Sequence, residues 1–87
     1  MSYSYAIERE RLFTEDGQVL FLKIRDNAQK LLKTAGAFKA RNAWQDCSGD
    51  SWQFIAALDR LVELGEIIEV SQPGCWAQHR VFVDGSR

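Results

Sequence analysis

Residues 57–70 have the sequence ALDRLVELGEIIEV, in which the end of a helix is followed directly by a strand. Leu58 and Leu61 are about one helical turn apart and predict the buried face of the helix. Gly65 predicts its end, because glycine adopts the left-handed backbone conformation that closes a helix. The two isoleucines that come next are β-branched and favour a strand. These signals predict a helix whose last turn leads straight into a small sheet.

Helical periodicity extends upstream and predicts three helices in all. Residues 15–35 carry apolar side chains at helical spacing, follow the hydroxyl N-cap residue Thr14 and stop at Gly36. Residues 40–47 show the same spacing over a shorter length. The third helix, which contains the two leucines above, is predicted over residues 51–64.

The third helix is predicted to begin with a capping box. Asp50 and Gln53 have the spacing at which each side chain satisfies a backbone N–H of the first turn. With Leu58 at the centre of the buried face, a rotation of 100° per residue divides the other side chains between core and solvent. We expect burial of Phe54, Ile55, Leu61 and Val62, and exposure of Gln53, Ala56, Arg60 and Glu63.

The remaining segments predict strands and connections. Residues 66–70 and 79–83 are β-prone and are expected to pair as an antiparallel hairpin. Residues 1–14 form an N-terminal extension or edge strand, because apolar side chains alternate with polar ones in its first part. Residues 36–39 are expected to be a brief connector, and residues 84–87 a tail after the 15–83 core.

The composition is that of one small globular domain. The chain has 87 residues, 46% of them apolar and 26% charged, which excludes a multidomain enzyme and differs from a disordered chain. No apolar run approaches the ~18 residues of a membrane span, and the N-terminus lacks the layout of a signal peptide. We therefore expect a cytoplasmic protein with no membrane partner. A net charge of −1 provides no strong cationic field for nucleic acid.

Catalytic and metal-binding patterns are sparse. Cys47 and Cys75 have no CxxC partner and are expected to be free thiols. Cys75 and His79 are four residues apart, but a structural zinc site needs four ligands. His79 is the sole histidine, and no glycine-rich phosphate loop occurs. We expect no enzyme activity, no catalytic residues, no metal and no cofactor.

The order of helix, short helix, tight turn, helix and hairpin resembles a winged helix-turn-helix domain over about residues 36–83. The local pattern apolar-x-x-Leu-x-x-x-Gly-x-Ile within ALDRLVELGEIIEV is similar to the end of the third helix in many of its members. The resemblance implies an α+β fold of three helices and a two-stranded wing. It also implies a small non-catalytic regulator of transcription that binds double-stranded DNA.

Under that resemblance the third helix corresponds to the recognition helix, and residues 71–78 to the wing tip. Base edges would be reached from the start of the third helix, and phosphates from the second helix and the wing. The candidate DNA-binding residues implied are Lys39, Arg41, Ser51, Gln53, Arg60 and Arg80.

The charge distribution favours a different function for the same fold. Residues 36–87 carry five basic and seven acidic side chains, a formal charge of −2 that opposes phosphate binding. The alternative is a protein-interaction or assembly module, since aromatic anchors dominate protein interfaces. Its candidate interface residues are Trp52, Trp76, Val19 and Leu22. The last two lie off the main apolar stripe of the first helix, which predicts a second buried face against residues 3–13 or against another subunit, and we expect a homodimer.

Overall fold

The structure is a computed structural model that describes residues 3–71, 74 and 79–85. This part of the chain is mainly helical, with one small antiparallel sheet, and belongs to the α+β class. None of its helices is long and apolar enough to cross a membrane. The elements are α1 (Tyr5–Glu8), a 3-10 helix (Arg9–Phe13), α2 (Glu15–Ala35), β1 (Ala37–Lys39), α3 (Ala40–Ala43), α4 (Ser51–Glu63), β2 (Ile67–Glu69) and β3 (Val81–Asp84).

The two long helices lie where the sequence predicts them. The hydroxyl of Thr14 accepts a hydrogen bond from the backbone N–H of Gly17 at 3.1 Å and caps α2. Gly36 ends that helix with a φ of 77°. Asp50 caps α4 by accepting from the backbone N–H of Trp52 at 2.9 Å. The predicted capping box is wrong in its partner, because the N–H of Gln53 bonds to the backbone carbonyl of Asp50 at 3.0 Å instead.

The second helix is shorter than predicted. α3 ends at Ala43, whereas periodicity extended it to Cys47. The chain turns at Trp44, where φ is −122° and the helical conformation stops. The indole of Trp44 packs against the ring of Phe54 in α4, with centroids 5.5 Å apart. The chain therefore leaves the helical conformation before the last predicted turn of the second helix, and Trp44 packs against α4 instead.

The sheet has three strands in the order β1-β3-β2, and both pairs are antiparallel. The predicted pairing of the last two strands is confirmed, with Ile68 opposite Val83, but the strands cover 67–69 and 81–84 rather than 66–70 and 79–83. Asp84 is therefore part of β3 and not of the expected tail. The connector expected at residues 36–39 is instead the edge strand β1, and the predicted two-stranded wing is part of a three-stranded sheet. Phe38 of β1 lies opposite Phe82 of β3, and their rings stack at 5.5 Å. That stacking of buried rings explains why so short a segment becomes a strand.

The N-terminal strand prediction is wrong, because residues 5–13 form α1 and the 3-10 helix. We call residues 3–13 the N-terminal arm. The alternation that predicted a strand does not match burial, since Ile7 is 70% exposed. The arm is held instead by Leu12, which is buried in the core, and by the bond from Arg11 to Asp50 at 3.3 Å, while the buried carboxylate of Glu8 accepts from Arg11 at 2.7 Å within the arm.

The centre of α4 is the most buried part of the fold. Leu58 and Leu61 are buried as predicted. Ala56 was expected to face solvent but is fully buried, and both helices of the arm contact α4. Val62 was expected in the core but is half-exposed in the last turn of α4. The helix therefore packs against the core on one side and the arm on the other.

Candidate functional site

The outer face of α4 is bound by hydroxyl and guanidinium groups of the arm. The hydroxyl of Tyr3 donates to Oδ2 of Asp59 at 2.6 Å. The hydroxyl of Tyr5 donates to Oε1 of Glu63 at 3.0 Å, and Nε of Arg9 donates to the same oxygen at 3.1 Å. Asp59 and Glu63 are one helical turn apart, so both carboxylates point toward the arm.

Aromatic rings of the arm contact α4 at two further points. The ring of Tyr3 meets the indole of Trp52 edge to face, with centroids 6.3 Å apart. The ring of Phe13 is contacted by the guanidinium of Arg9 at 5.0 Å and by that of Arg60 at 5.4 Å. These contacts extend the covered face from the first turn of α4 to its last.

A close backbone approach fixes where the arm leaves α2. A Cβ atom built on Gly17 would lie 2.0 Å from the carbonyl oxygen of Arg11 and 2.8 Å from Cα of Leu12. Only glycine permits this contact, because any side chain would push the arm away from the first turn of α2. Gln18 strengthens the same junction by donating Nε2 to the carbonyl of Leu12 at 2.7 Å.

As a result α4 has no solvent-facing side at its centre. Residues 54–58 are all buried, which is more than one full turn of helix. A helix that enters the major groove of DNA needs side chains that reach base edges. In this structure the middle of α4 presents none.

A carboxylate bridge joins α4 to the sheet. Nη2 of Arg80 donates to Oδ1 of Asp59 at 2.7 Å, and the same guanidinium contacts both oxygens of Glu69 at 2.7 and 3.0 Å. Its carbon lies 5.2 Å from the ring centroid of Phe82. Burial alone would lower the pKa of Arg80, but the hydrogen bonds to Glu69 and Asp59 outweigh it and raise that pKa. Arg80 is therefore a charged structural link whose charge is already matched.

The ionisation of the arm contacts follows from their surroundings. Burial raises the pKa of Tyr3 well above its usual value, and the hydrogen bond to Asp59 raises it further. The hydrogen bond from Arg60 lowers the pKa of Glu63, and the bond from Arg9 adds to that effect. At neutral pH the tyrosine is therefore a neutral donor and the glutamate a charged acceptor.

The structure separates the six predicted DNA-binding residues into two groups. Arg60 and Arg80 are partly buried and paired with carboxylates, Arg60 with Glu63 and Arg80 with Asp59 and Glu69. Ser51 is exposed and Gln53 is half-buried at the start of α4. The two arginines therefore offer no free charge to a phosphate.

Lys39 and Arg41 form the second group and are brought together. Both are exposed, and both line a shallow groove of about 490 Å³ beside β1, together with Asn42 and Val81. Within the described residues, neither side chain takes part in an ion pair. These are the accessible cations among the predicted set.

The predicted protein-interface residues also differ in their surroundings. Val19 is 70% exposed and Leu22 is 50% exposed on the outward side of α2, and the arm does not cover them. Trp52 is half-buried against Tyr3. Trp76 lies outside the described residues.

Reactive groups are few in the described part of the chain. Cys47 is a free thiol, and burial raises its pKa, so it is protonated at neutral pH and a weak nucleophile. Cys75 lies outside the described residues. No group of three or more histidine, cysteine, aspartate or glutamate side chains in the described part could hold a metal ion.

The contacts that sequence reasoning missed are those of the arm. Tyr3, Tyr5 and Arg9 were not singled out as partners of α4. A signal was available, because the arm is rich in tyrosine and arginine while the outer side of α4 carries Asp59 and Glu63. Two segments of complementary composition make contact only when the fold brings them together. Periodicity alone does not predict that the arm lies beside α4.

No protein-family model, curated protein or solved structure matches this chain.

Replacing Tyr3 with phenylalanine tests the buried contact of the arm. Loss of the hydrogen bond to Asp59 should lower the free energy of unfolding by about 1 kcal/mol. Because the pKa of Tyr3 is raised in the folded chain, its contribution is fully present below about pH 10, the unfolded value, and declines above it. Urea unfolding of wild type between pH 7 and 11 should show that decline, and Tyr3→Phe should reduce it.

Tyr5→Phe is the matched control, since its hydroxyl is less buried and its bond to Glu63 is longer. Its effect should be smaller than that of Tyr3→Phe. Equal effects, or no effect of Tyr3→Phe at any pH, would show that the arm does not rest on α4 in solution.

Proposed function

We propose that this chain is a small non-catalytic module of the winged-helix type that binds another protein. The order of α2, α3, α4 and the β2–β3 pair agrees with the winged helix-turn-helix that the local pattern of residues 57–70 resembles. β3 lies between the other two strands and completes a three-stranded sheet. These features support the fold assignment, and the surface of α4 supports the function.

One observation carries the proposal: the outer side of α4 is closed. Its central residues 54–58 are buried, and the arm occupies the side on which a recognition helix presents its reading residues. Proteins that read DNA through this helix keep that side free. Here Trp52, Asp59 and Glu63 on that side bind aromatic and basic groups of the arm, which are contacts of the kind that proteins make with one another.

The charges support the same conclusion. Nonspecific DNA affinity comes from cations that neutralise phosphates. Arg60 and Arg80 already neutralise carboxylates of the chain itself. Arg9 and Arg11 of the arm are likewise paired, with Glu63 and with Glu8. The surface around α4 therefore has little positive potential to attract a duplex.

Self-association belongs to the same proposal. Val19 and Leu22 are apolar, exposed and uncovered on α2, and apolar surface of this kind is typical of subunit contacts. We expect a weak homodimer through this side of α2. Sedimentation at tens of micromolar should show it for wild type and for Ile68→Lys, which alters an exposed apolar residue of β2. Val19→Lys should be monomeric, and a monomeric wild type would contradict the expectation.

A second candidate function is DNA binding, and Lys39 and Arg41 favour it. These exposed cations lie side by side near the groove along β1. In a winged helix-turn-helix the corresponding segment contacts phosphates, as the resemblance implies. A duplex bound there would be held by the backbone, with Ser51 and Gln53 as the nearest groups of α4 available to bases.

A duplex titration separates the two functions. Fluorescence anisotropy with a labelled mixed-sequence duplex should show no saturable binding at about 50 mM salt, where phosphate contacts are strongest. Binding that weakens steeply with added salt would contradict the proposal and support the second candidate. Arg41→Ala should then weaken binding to every sequence and reduce the salt slope by about one unit. Lys30→Ala, an exposed lysine on α2, serves as the matched control and should leave binding unchanged.

A further inference from the structure

We infer that the outer face of the sheet is a docking site for an acidic amphipathic helix of another protein. The inference rests on the proposed function and names both the surface and the class of partner. The outer face is the side of the three strands that points away from Phe38 and Phe82, whose rings are buried in the core. It combines exposed apolar side chains with two cations at one edge.

The strand register determines which side chains share the outer face. Residues directly opposite one another in antiparallel strands point to the same side of the sheet, and successive residues alternate. Phe38 and Phe82 form a pair that points into the core, so the positions next to them point outward. In the other pair of strands Ile68 lies opposite Val83, and Val70 continues this register through its N–H, which donates to β3 at 2.9 Å. The outer face therefore consists of Ala37, Lys39, Ile68, Val70, Val81 and Val83.

All of these side chains except Lys39 are apolar, which is unusual for the free side of a sheet. An antiparallel sheet that packs one face on the core commonly carries polar side chains on the other face. Here Ile68 is 49% exposed and Val70 is 50% exposed, while Val81 and Val83 in the central strand are partly buried. Apolar residues that are grouped on an exposed face are typical of an interaction site.

The charges around the outer face determine the charge of the partner. Lys39 lies on this face, and Arg41 lies next to it along the shallow groove beside β1. Both are exposed, and neither takes part in an ion pair among the described residues. Glu69 lies opposite Phe82 and so belongs to the other side of the sheet, where Arg80 binds it. An apolar surface with a positive edge is complementary to apolar side chains flanked by carboxylates.

The short strands favour a helix as the bound element. β1 and β2, the two edge strands, have three residues each, so their free edges offer few backbone groups to an added strand. The face of a sheet can instead be covered by a helix that lays its apolar stripe across the strands. The expected partner is therefore a helix with apolar residues at i, i+3, i+4 and i+7 and with carboxylates along one flank.

A peptide titration tests the inference. The probe is a fluorescein-labelled helical peptide of about 18 residues, or about five turns, with a leucine stripe and glutamates along one flank. It is added to the full chain and followed by anisotropy. The matched control peptide has lysine in place of each glutamate. Wild type should bind the glutamate peptide at least about tenfold more tightly than the lysine peptide, because only the former complements Lys39 and Arg41.

Variants of the outer face make the result specific. Ile68→Gln should weaken binding of the glutamate peptide at least about tenfold, because it removes an apolar contact at the centre of the interface. The double variant Lys39→Glu, Arg41→Glu should prefer the lysine peptide, because the charge of the edge is reversed. Lys30→Glu makes the same charge change at an exposed lysine of α2 and should match wild type. Should Ile68→Gln fail to fold, as judged by circular dichroism, Val70→Gln tests the same face.

Three results would overturn the inference. The first is that wild type does not bind the glutamate peptide, or binds both peptides equally well. The second is that binding is unchanged in a folded variant of the outer face. The third is that Ile68→Gln converts a dimeric wild type into a monomer in sedimentation, because a second copy of the chain would then cover this face. Salt-sensitive duplex binding would instead contradict the proposed function, so the two failures are distinct.

Discussion

The carboxylate of Asp59 joins three parts of the fold that are distant in sequence. It accepts from the hydroxyl of Tyr3 in the arm and from the guanidinium of Arg80 beside β3. Arg80 in turn binds Glu69 in β2. Because Asp59 and Arg80 are partly buried, each depends on its partners to satisfy its charge. This junction helps to hold the arm over α4 and α4 against the sheet.

The coverage of α4 by the arm limits the functions that this helix can perform. In a DNA reader the third helix packs on one side and is free on the other. Here the side away from Leu58 is covered by the arm, and the close approach at Gly17 holds the base of the arm in that position. The helix that the sequence resemblance assigns to reading is thus a central support of the fold. Its carboxylates bind the hydroxyl and guanidinium groups of the arm.

The features predicted correctly from the sequence are those that depend on local signals. Thr14 and Gly36 mark the ends of α2, and the leucines of residues 57–70 mark the core, because caps and periodicity act within a few residues. β1 escaped prediction since its strand conformation depends on pairing with β3, more than 40 residues away. The arm alternates like a strand, yet tertiary contacts with α4 override that pattern. The resemblance implied the candidate cations, but only the fold reveals that Arg60 and Arg80 are already paired.

The most direct test of a closed α4 is the solvent accessibility of the Ala56 methyl group in the native chain. Paramagnetic relaxation by a soluble, neutral agent, measured by NMR, reports that accessibility for each methyl. We expect the methyl group of Ala56 to relax as slowly as the buried methyl groups of Leu58, and far more slowly than the methyl group of the exposed Ala6 in the arm. An Ala56 methyl that relaxes as fast as that of Ala6 would contradict it, because the outer side of α4 would then be open to solvent and to a duplex.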